Sequence, residues 1–246
     1  MTTAAIRIAM WSGPRNISTA LMRSFGSRAD TTVCDEPLYA HYLAVTGLPH
    51  PGRDEVIAAH EPDWRRAAAW LTGPVPHGRP VWYQKHMAHH LLPVIERAWL
   101  DSLTNTFLVR DPAAMLPSLV AKTPDAGLAD TGLPQQCELF DRVSDRLGRA
   151  PPVIDASDVL ANPAGLLARL CRELGIAWDA AMLSWTPGRR ETDGVWAKHW
   201  YHAVEASTGF QAPETAAPPS LPAALDGLHE QCLPYYQRLR AYRLQA

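Results

Sequence analysis

The stretch IAMWSGPRNISTALMRSF, Ile8–Phe25, holds an apolar run that breaks at SGPRN. It passes at once into apolar residues at helical spacing: Ile17, Ala20, Leu21 and Phe25. That order predicts a buried strand over Ile6–Trp11, a sharp turn, and a helix. A strand that turns sharply into a helix points several backbone N–H groups at one spot, and the helix dipole adds positive potential there. Gly13 lets the backbone approach an anion, and Arg15 supplies a forked cation. Ser18 and Thr19 place hydroxyl donors in the first helical turn. Yet the pattern GxxxxGK[ST] is not met, because Ser18 and Thr19 stand where Gly-Lys belongs. The segment reads either as an anion-holding loop without its lysine or as an ordinary strand–helix turn with a solvated arginine.

Working outward, Thr31–Cys34, Val81–Gln84, Thr104–Val109 and Val153–Asp155 read as further short strands. Helical spacing marks Trp64–Leu71, His89–Ala98, Met115–Val120, Cys137–Leu147 and Ala223–Leu244. It also marks SDVLANPAGLLARLCRELGI, which ends at Gly175 as a helix stop. Pro49–Arg53, Thr72–Arg79 and the Gly/Pro/Asp-rich Lys122–Pro134 read as loops, the last of them mobile. Glu205–Leu221 is polar and Pro-rich. Strands alternating with helices predict an α/β three-layer sandwich with a central, mainly parallel sheet. In such sheets the ligand lies outside the carboxyl ends of the strands. The ends to inspect are Ser12–Asn16, Asp35–Glu36, Lys85–His86 and Arg110–Asp111, each a polar group directly after an apolar strand.

The 246 residues suit one domain over 1–246, since α/β domains often exceed roughly 200 residues. With 23 basic and 25 acidic residues the formal net charge is −2, so nothing suggests nucleic acid as a partner, and an anionic ligand must be met by clustered charge. Cys34, Cys137, Cys171 and Cys232 form no CxxC pair and are expected as reduced, buried thiols. No signal peptide is visible, and no window approaches the ~20 apolar residues of a membrane span. A cytoplasmic protein with no membrane partner is expected.

Two later segments carry charge suited to phosphate. FLVRDPAAMLPS puts Arg110 at a strand end and Ser118 about two helical turns beyond Pro112. PGRRETDGVWAKHWY, residues 187–201, sets Arg189 and Arg190 beside Gly194, Trp196, Lys198 and His199. Such a loop suits closure over a purine phosphate by ion pairing and stacking. The bland counterparts are a surface ion pair Arg110–Asp111 and a solvated basic loop. His86, His89 and His90 raise the question of a metal, but no carboxylate or thiol stands beside them at a ligand spacing.

Together these segments resemble sulfotransferases that use 3′-phosphoadenosine-5′-phosphosulfate (PAPS). SGPRNIST is similar to their phosphosulfate loop, Pro-Lys/Arg-Ser-Gly-Thr-Thr: Pro14, Arg15, Ser18 and Thr19 match, while Asn16 and Ile17 replace Ser-Gly. VRDPAAMLPS resembles the 3′-phosphate segment, with the spacing from Arg110 to Ser118 intact. RRETDGVWAKHW resembles, more loosely, the late Arg-Lys-Gly loop. The matches run from residue 8 to about 200 in order, and 41–80 and 121–137 match nothing, as variable insertions do.

The resemblance implies a P-loop-like sulfotransferase fold and transfer of a sulfuryl group from PAPS to a hydroxyl or amine of a small-molecule acceptor. The 3′-phosphoadenosine 5′-phosphate (PAP) is left behind, and no metal is needed. Donor-binding residues would be Gly13, Pro14, Arg15, Asn16, Ser18, Thr19, Arg110, Ser118, Arg189 and Arg190. Arg15 and Lys85 would meet the charge developing on the leaving oxygen. For the base there are two candidates. Glu36, in CDEPLY, is similar to the Glu-Pro-Leu stretch of carbohydrate sulfotransferases. His86, in QKHM, is similar to the Lys-Thr-His stretch of aryl and steroid sulfotransferases. Tyr39, His41, Tyr42, Trp82 and Lys122–Pro134 stand where acceptor walls would be. Two rivals remain: a kinase or nucleoside-triphosphate hydrolase, and a catalytically inactive nucleotide-binding domain.

Overall fold

The computed structural model describes residues 5–211 and 221–246. Five parallel strands form one sheet in the order β2-β3-β1-β4-β5, with β1 (Ile6–Ser12), β2 (Thr31–Asp35), β3 (Val81–Met87), β4 (Thr104–Val109) and β5 (Val153–Asp155). In β1 the alternate residues Ile8 and Met10 point to one face and Ala9 and Trp11 to the other, and all are buried. A strand covered on both sides must be apolar throughout, which is why its sequence runs without alternation.

Helix α1 (Ser18–Gly26) covers the first face and packs Leu21, Met22 and Phe25 on Ile8, Met10 and Tyr83. Burying each such side chain contributes about 1.5–3 kcal/mol. Between β2 and β3 lie α2 (Tyr39–Thr46), α3 (Arg53–Ala59) and α4 (Trp64–Thr72). After β4 come α5 (Pro112–Val120) and α6 (Leu133–Leu147), and after β5 come α7 (Ala156–Ala161) and α8 (Pro163–Leu174). Helix α8 joins α1 on the first face through Leu166, Leu167 and Leu170. Two short helices, α9 (Ala197–Trp200) and α10 (His202–Glu205), precede α11 (Asp226–Arg240). Helices α5, α6 and α11 cover the second face through Leu116, Phe140 and Leu239. The layers are helix, sheet, helix, as the alternation of elements predicts. No described helix is long and apolar enough to cross a membrane.

Four local expectations are corrected. His89–Ala98 is not a helix but a short 3-10 turn, Ala88–His90, followed by irregular chain. Pro93 cannot donate to a helical ladder. The Arg97 guanidinium takes up freed carbonyls instead, binding those of Leu92 at 3.0 Å and Leu91 at 3.4 Å. The long stretch before Gly175 breaks into α7 and α8 because Pro163 disfavours a helical Asn162, which takes φ −144°, ψ 72°. Asn162 then caps the second helix through the Gly165 N–H at 2.9 Å. Only the second half of the segment expected as a mobile loop departs from it, folding into a 3-10 turn, Leu128–Thr131, and the start of α6, with Thr131 and Leu133 buried, while residues 122–127 are turns and irregular chain. The C-terminal helix is shorter than Ala223–Leu244: it stops at Arg240, and Leu244 donates to the Val153 carbonyl at 2.8 Å beside the sheet edge. Of Glu205–Leu221, residues 212–220 lie outside the described residues.

Candidate active site

A cavity of about 430 Å³ opens at the carboxyl ends of the strands. The turn Pro14–Ala20 forms one wall, Arg110 and Ser118 lie beside it, and Glu36, Lys85 and Tyr201 form the floor at the other end.

The turn has the backbone geometry of an anion nest. Arg15 (φ 62°) and Ile17 (φ 57°) are both left-handed, and alternation of this kind turns backbone N–H groups into a concave nest. Among the described residues the N–H groups of Arg15, Asn16, Ile17, Ser18 and Thr19 donate to no protein acceptor. With its amide oxygen assigned to the Gly13 side, the orientation that satisfies both groups, the buried Asn16 side chain braces the turn from inside, donating to the Pro14 carbonyl at 3.0 Å and accepting from the Gly13 N–H at 3.3 Å. The departure at 16–17 thus has a structural account: Asn16 cross-links the loop, and Ile17 takes the left-handed position where the family pattern has glycine.

Gly13 is needed for space. A Cβ there would stand 2.2 Å from the Thr131 carbonyl oxygen. Gly13→Ala is therefore expected to push the loop from the Leu128–Thr131 turn and cost about 1–3 kcal/mol of stability. Urea unfolding checks this; an unchanged midpoint would mean that the Thr131 contact yields freely.

Two guanidiniums flank the turn. Arg15 Nε donates to Ser118 Oγ at 2.8 Å, and Arg110 Nη1 donates to the Arg15 carbonyl at 2.6 Å. Among the described residues neither is in a salt bridge. Burial lowers the pKa of Arg15; burial, and then the neighbouring Arg15 charge, lower that of Arg110. An anion between them would offset both penalties.

The floor is a buried charge cluster. Lys85 is 1% exposed, and its Nζ donates to Asp35 Oδ1 at 2.8 Å, Glu36 Oε1 at 2.5 Å and Tyr201 OH at 2.6 Å. Asp35 and Lys85 are register partners on β2 and β3, which puts them on one face of the sheet. Glu36 sits directly after β2 with φ 38°, a strained conformation for a non-glycine residue. Its pKa is raised by burial, partly opposed by Lys85, while that of Lys85 stands well above the usual lysine range because the two carboxylates outweigh its own desolvation.

His86 faces the other way. Adjacent strand residues point to opposite faces, so His86 lies on the Trp11 side, stacked on that indole with ring centroids 4.3 Å apart. Burial drives its pKa down to about 3, and it does not line the cavity. Arg189 and Arg190 do not line it either. Arg190 is turned outward onto the Thr186 carbonyl at 2.7 Å and hydroxyl at 2.6 Å. What that segment brings to the floor is aromatic, namely Trp196 and Tyr201.

The remaining wall carries Tyr39, Tyr42, His50, Met87, His89 and His90. Tyr39 and His90 stack at 4.7 Å, and the Tyr39 hydroxyl meets His50 Nδ1 at 2.9 Å. Burial lowers the pKa of His89 to about 3 and that of His90 well below the usual range, which favours the neutral imidazoles. Of the other expected wall residues, Lys122, Thr123 and Asp130 line the cavity. His41 instead pairs with the Pro62 carbonyl, and Trp82 packs on Trp70. No three metal-capable side chains converge among the described residues. Sequence reasoning did not find Tyr201 as part of the floor. Its signal lay inside WAKHWY, where the cations drew attention from the aromatics.

Known proteins give the comparison. The chain is 36% identical over 235 residues to branched-chain-amino-acid aminotransferase-like protein 1 of Arabidopsis thaliana. That match spans 94% of this chain but only 41% of the plant protein's length. Among solved structures, a sulfotransferase from Alicyclobacillus acidocaldarius aligns with a TM-score of 0.54 and 14% identity, covering 99% of this chain and 98% of that one. The sulfotransferase domain of the curacin biosynthetic pathway aligns with a TM-score of 0.51 and 14% identity over 100% of both chains. At such identities the likeness is one of fold. The model of the sulfotransferase domain family matches residues 6–243, a span holding the phosphate-type loop, both guanidiniums and the lysine floor, and to that family the chain belongs.

Proposed function

We propose that this protein transfers a sulfuryl group from PAPS to a hydroxyl or amine of a small-molecule acceptor. The observation that carries the reading is the pair of donor groups at one cavity, the open N–H groups of Arg15–Thr19 and the guanidinium of Arg110, which is in no salt bridge among the described residues. A donor with a 5′-phosphosulfate and a separate 3′-phosphate uses both.

In this reading Glu36 takes the proton from the attacking group. The acceptor oxygen or nitrogen bonds to sulfur, and the bond from sulfur to the bridging oxygen breaks, leaving PAP. Before transfer Lys85 holds the Glu36 carboxylate ionised at 2.5 Å. Once Glu36 is protonated that attraction weakens, and the ammonium is freed toward the negative charge growing on the leaving oxygen. Arg15 meets the same charge from the loop. The donor supplies the reactive sulfur, and the chain supplies position, a base and cations.

Calorimetry tests the donor. PAP is expected to bind without magnesium and far more tightly than ATP; binding confined to magnesium-ATP would point to a kinase. Arg110→Ala is expected to weaken PAP about 10–100-fold, the worth of one charge-assisted contact. ADP, which lacks the 3′-phosphate, should lose much less. Equal losses for the two nucleotides would remove Arg110 from the 3′-phosphate.

A further inference from the structure

We propose that Tyr201 is a positioning residue that sets the direction of the Lys85 ammonium and thereby tunes Glu36. An ammonium has three N–H donors. On Lys85 they go to Asp35, Glu36 and Tyr201. The Tyr201 hydroxyl has its own proton committed, donating to Asp35 at 2.7 Å from Oδ2 and 2.9 Å from Oδ1. What it turns to Lys85 is therefore a lone pair. The Trp196 indole N–H meets the same oxygen at 3.2 Å.

The segment that delivers Tyr201 is tied down at its start. Asp193 and Arg23 form a buried two-pronged ion pair at 2.5 and 2.6 Å. The next residue, Gly194, donates its N–H to Asp35 Oδ2 at 3.2 Å. A Cβ on Gly194 would lie 2.2 Å from the Trp196 ring. Residues 193–201 thus form a brace for the Lys85 cluster, set just after Arg189 and Arg190.

Glu36 is faced by Asp35 from β2, Lys85 from β3, Tyr39 from α2 and Tyr201 from beyond α9. Lys85 is the one cation in this set. Removing the Tyr201 hydroxyl takes a donor from Asp35 and an acceptor from Lys85. Asp35 then draws more of the ammonium, and less of it serves Glu36. The carboxyl of Glu36 should hold its proton to higher pH.

The role in transfer rests on the function proposed above, but the titration does not. In the full chain, Tyr201→Phe is expected to raise the Glu36 midpoint, read by ¹³C-carboxyl NMR without ligand. PAP affinity should stay within about twofold, because the loop and Arg110 are untouched. Transfer from labelled PAPS to an acceptor found by screening should lose about 10–100-fold in kcat with little change in KM. Its acidic limb should move to higher pH. An unchanged Glu36 midpoint would overturn the proposal. A raised midpoint in a protein that performs no transfer would support the brace and sink the sulfotransfer reading alone. If Tyr201→Phe does not fold, Trp196→Phe, which removes the indole donor, should give a smaller shift of the same sign, and no shift would likewise overturn it.

Discussion

Glu36→Gln is expected to lower sulfuryl transfer by about 10²–10⁴-fold, the usual worth of a general base, while PAP still binds. The amide keeps the size of the side chain and an oxygen for Lys85, but it cannot take a proton. The pH dependence has a definite sign. Burial raises the Glu36 pKa above its ordinary value, and the reaction needs the ionised form. Wild-type activity should therefore fall on acidification at a pH above the usual carboxylate range, and that limb should vanish from the residual activity of Glu36→Gln. Steady-state kinetics with labelled PAPS across pH reads both effects. Full transfer by the variant would take the base role from Glu36. His86 would not inherit it, since its imidazole is sealed against Trp11 on the far face of the sheet.

His86 also shows what the sequence offered and where reading it stopped short. Lys85 and His86 were both expected to serve the reaction, yet the two-residue period of a strand sends neighbours to opposite faces. The fold itself was legible because parallel strands buried on both sides are written as unbroken apolar runs, as in Ile8–Trp11. The Ser12–Thr19 turn was legible because its chemistry is local. The floor was not. Asp35 and Tyr201 bond across 166 positions of sequence, and no local pattern announces a hydroxyl that arrives from so far. In 187–201 the charged residues were the conspicuous ones, but Arg190 bonds back to its own loop while Asp193, Gly194 and Tyr201 hold the cluster. Local pattern alone also failed at His89–Ala98, where apolar spacing suggested a helix that Pro93 prevents.

Lys85→Met is expected to destabilise the fold by about 3–5 kcal/mol, the cost of removing one partner from a buried ion cluster. Methionine fills much the same volume, so packing is nearly conserved and the loss isolates charge. It leaves Asp35 and Glu36 facing each other, with the Tyr201 hydroxyl and the Gly194 N–H as donors to Asp35. Lys85 is the cation that opposes the burial of Glu36. Without it the folded-state pKa of Glu36 should rise further above the unfolded value. A raised carboxyl pKa means that the folded state binds the proton more tightly. Its contribution is then fully present below the unfolded pKa and is lost as pH rises through the folded one. The variant should accordingly recover stability toward acidic pH, where Glu36 is protonated, and be weakest at neutral and higher pH. Urea unfolding of both proteins across pH measures the difference. A pH-independent deficit would mean that the loss is one of packing, and a deficit below about 1 kcal/mol would mean that water replaces the ammonium in the cluster. Either result would separate the lysine's part in holding the fold from its part in transfer. The proposed role of Lys85 requires the two to be joined, because the carboxylates that make its burial tolerable are the ones that aim it.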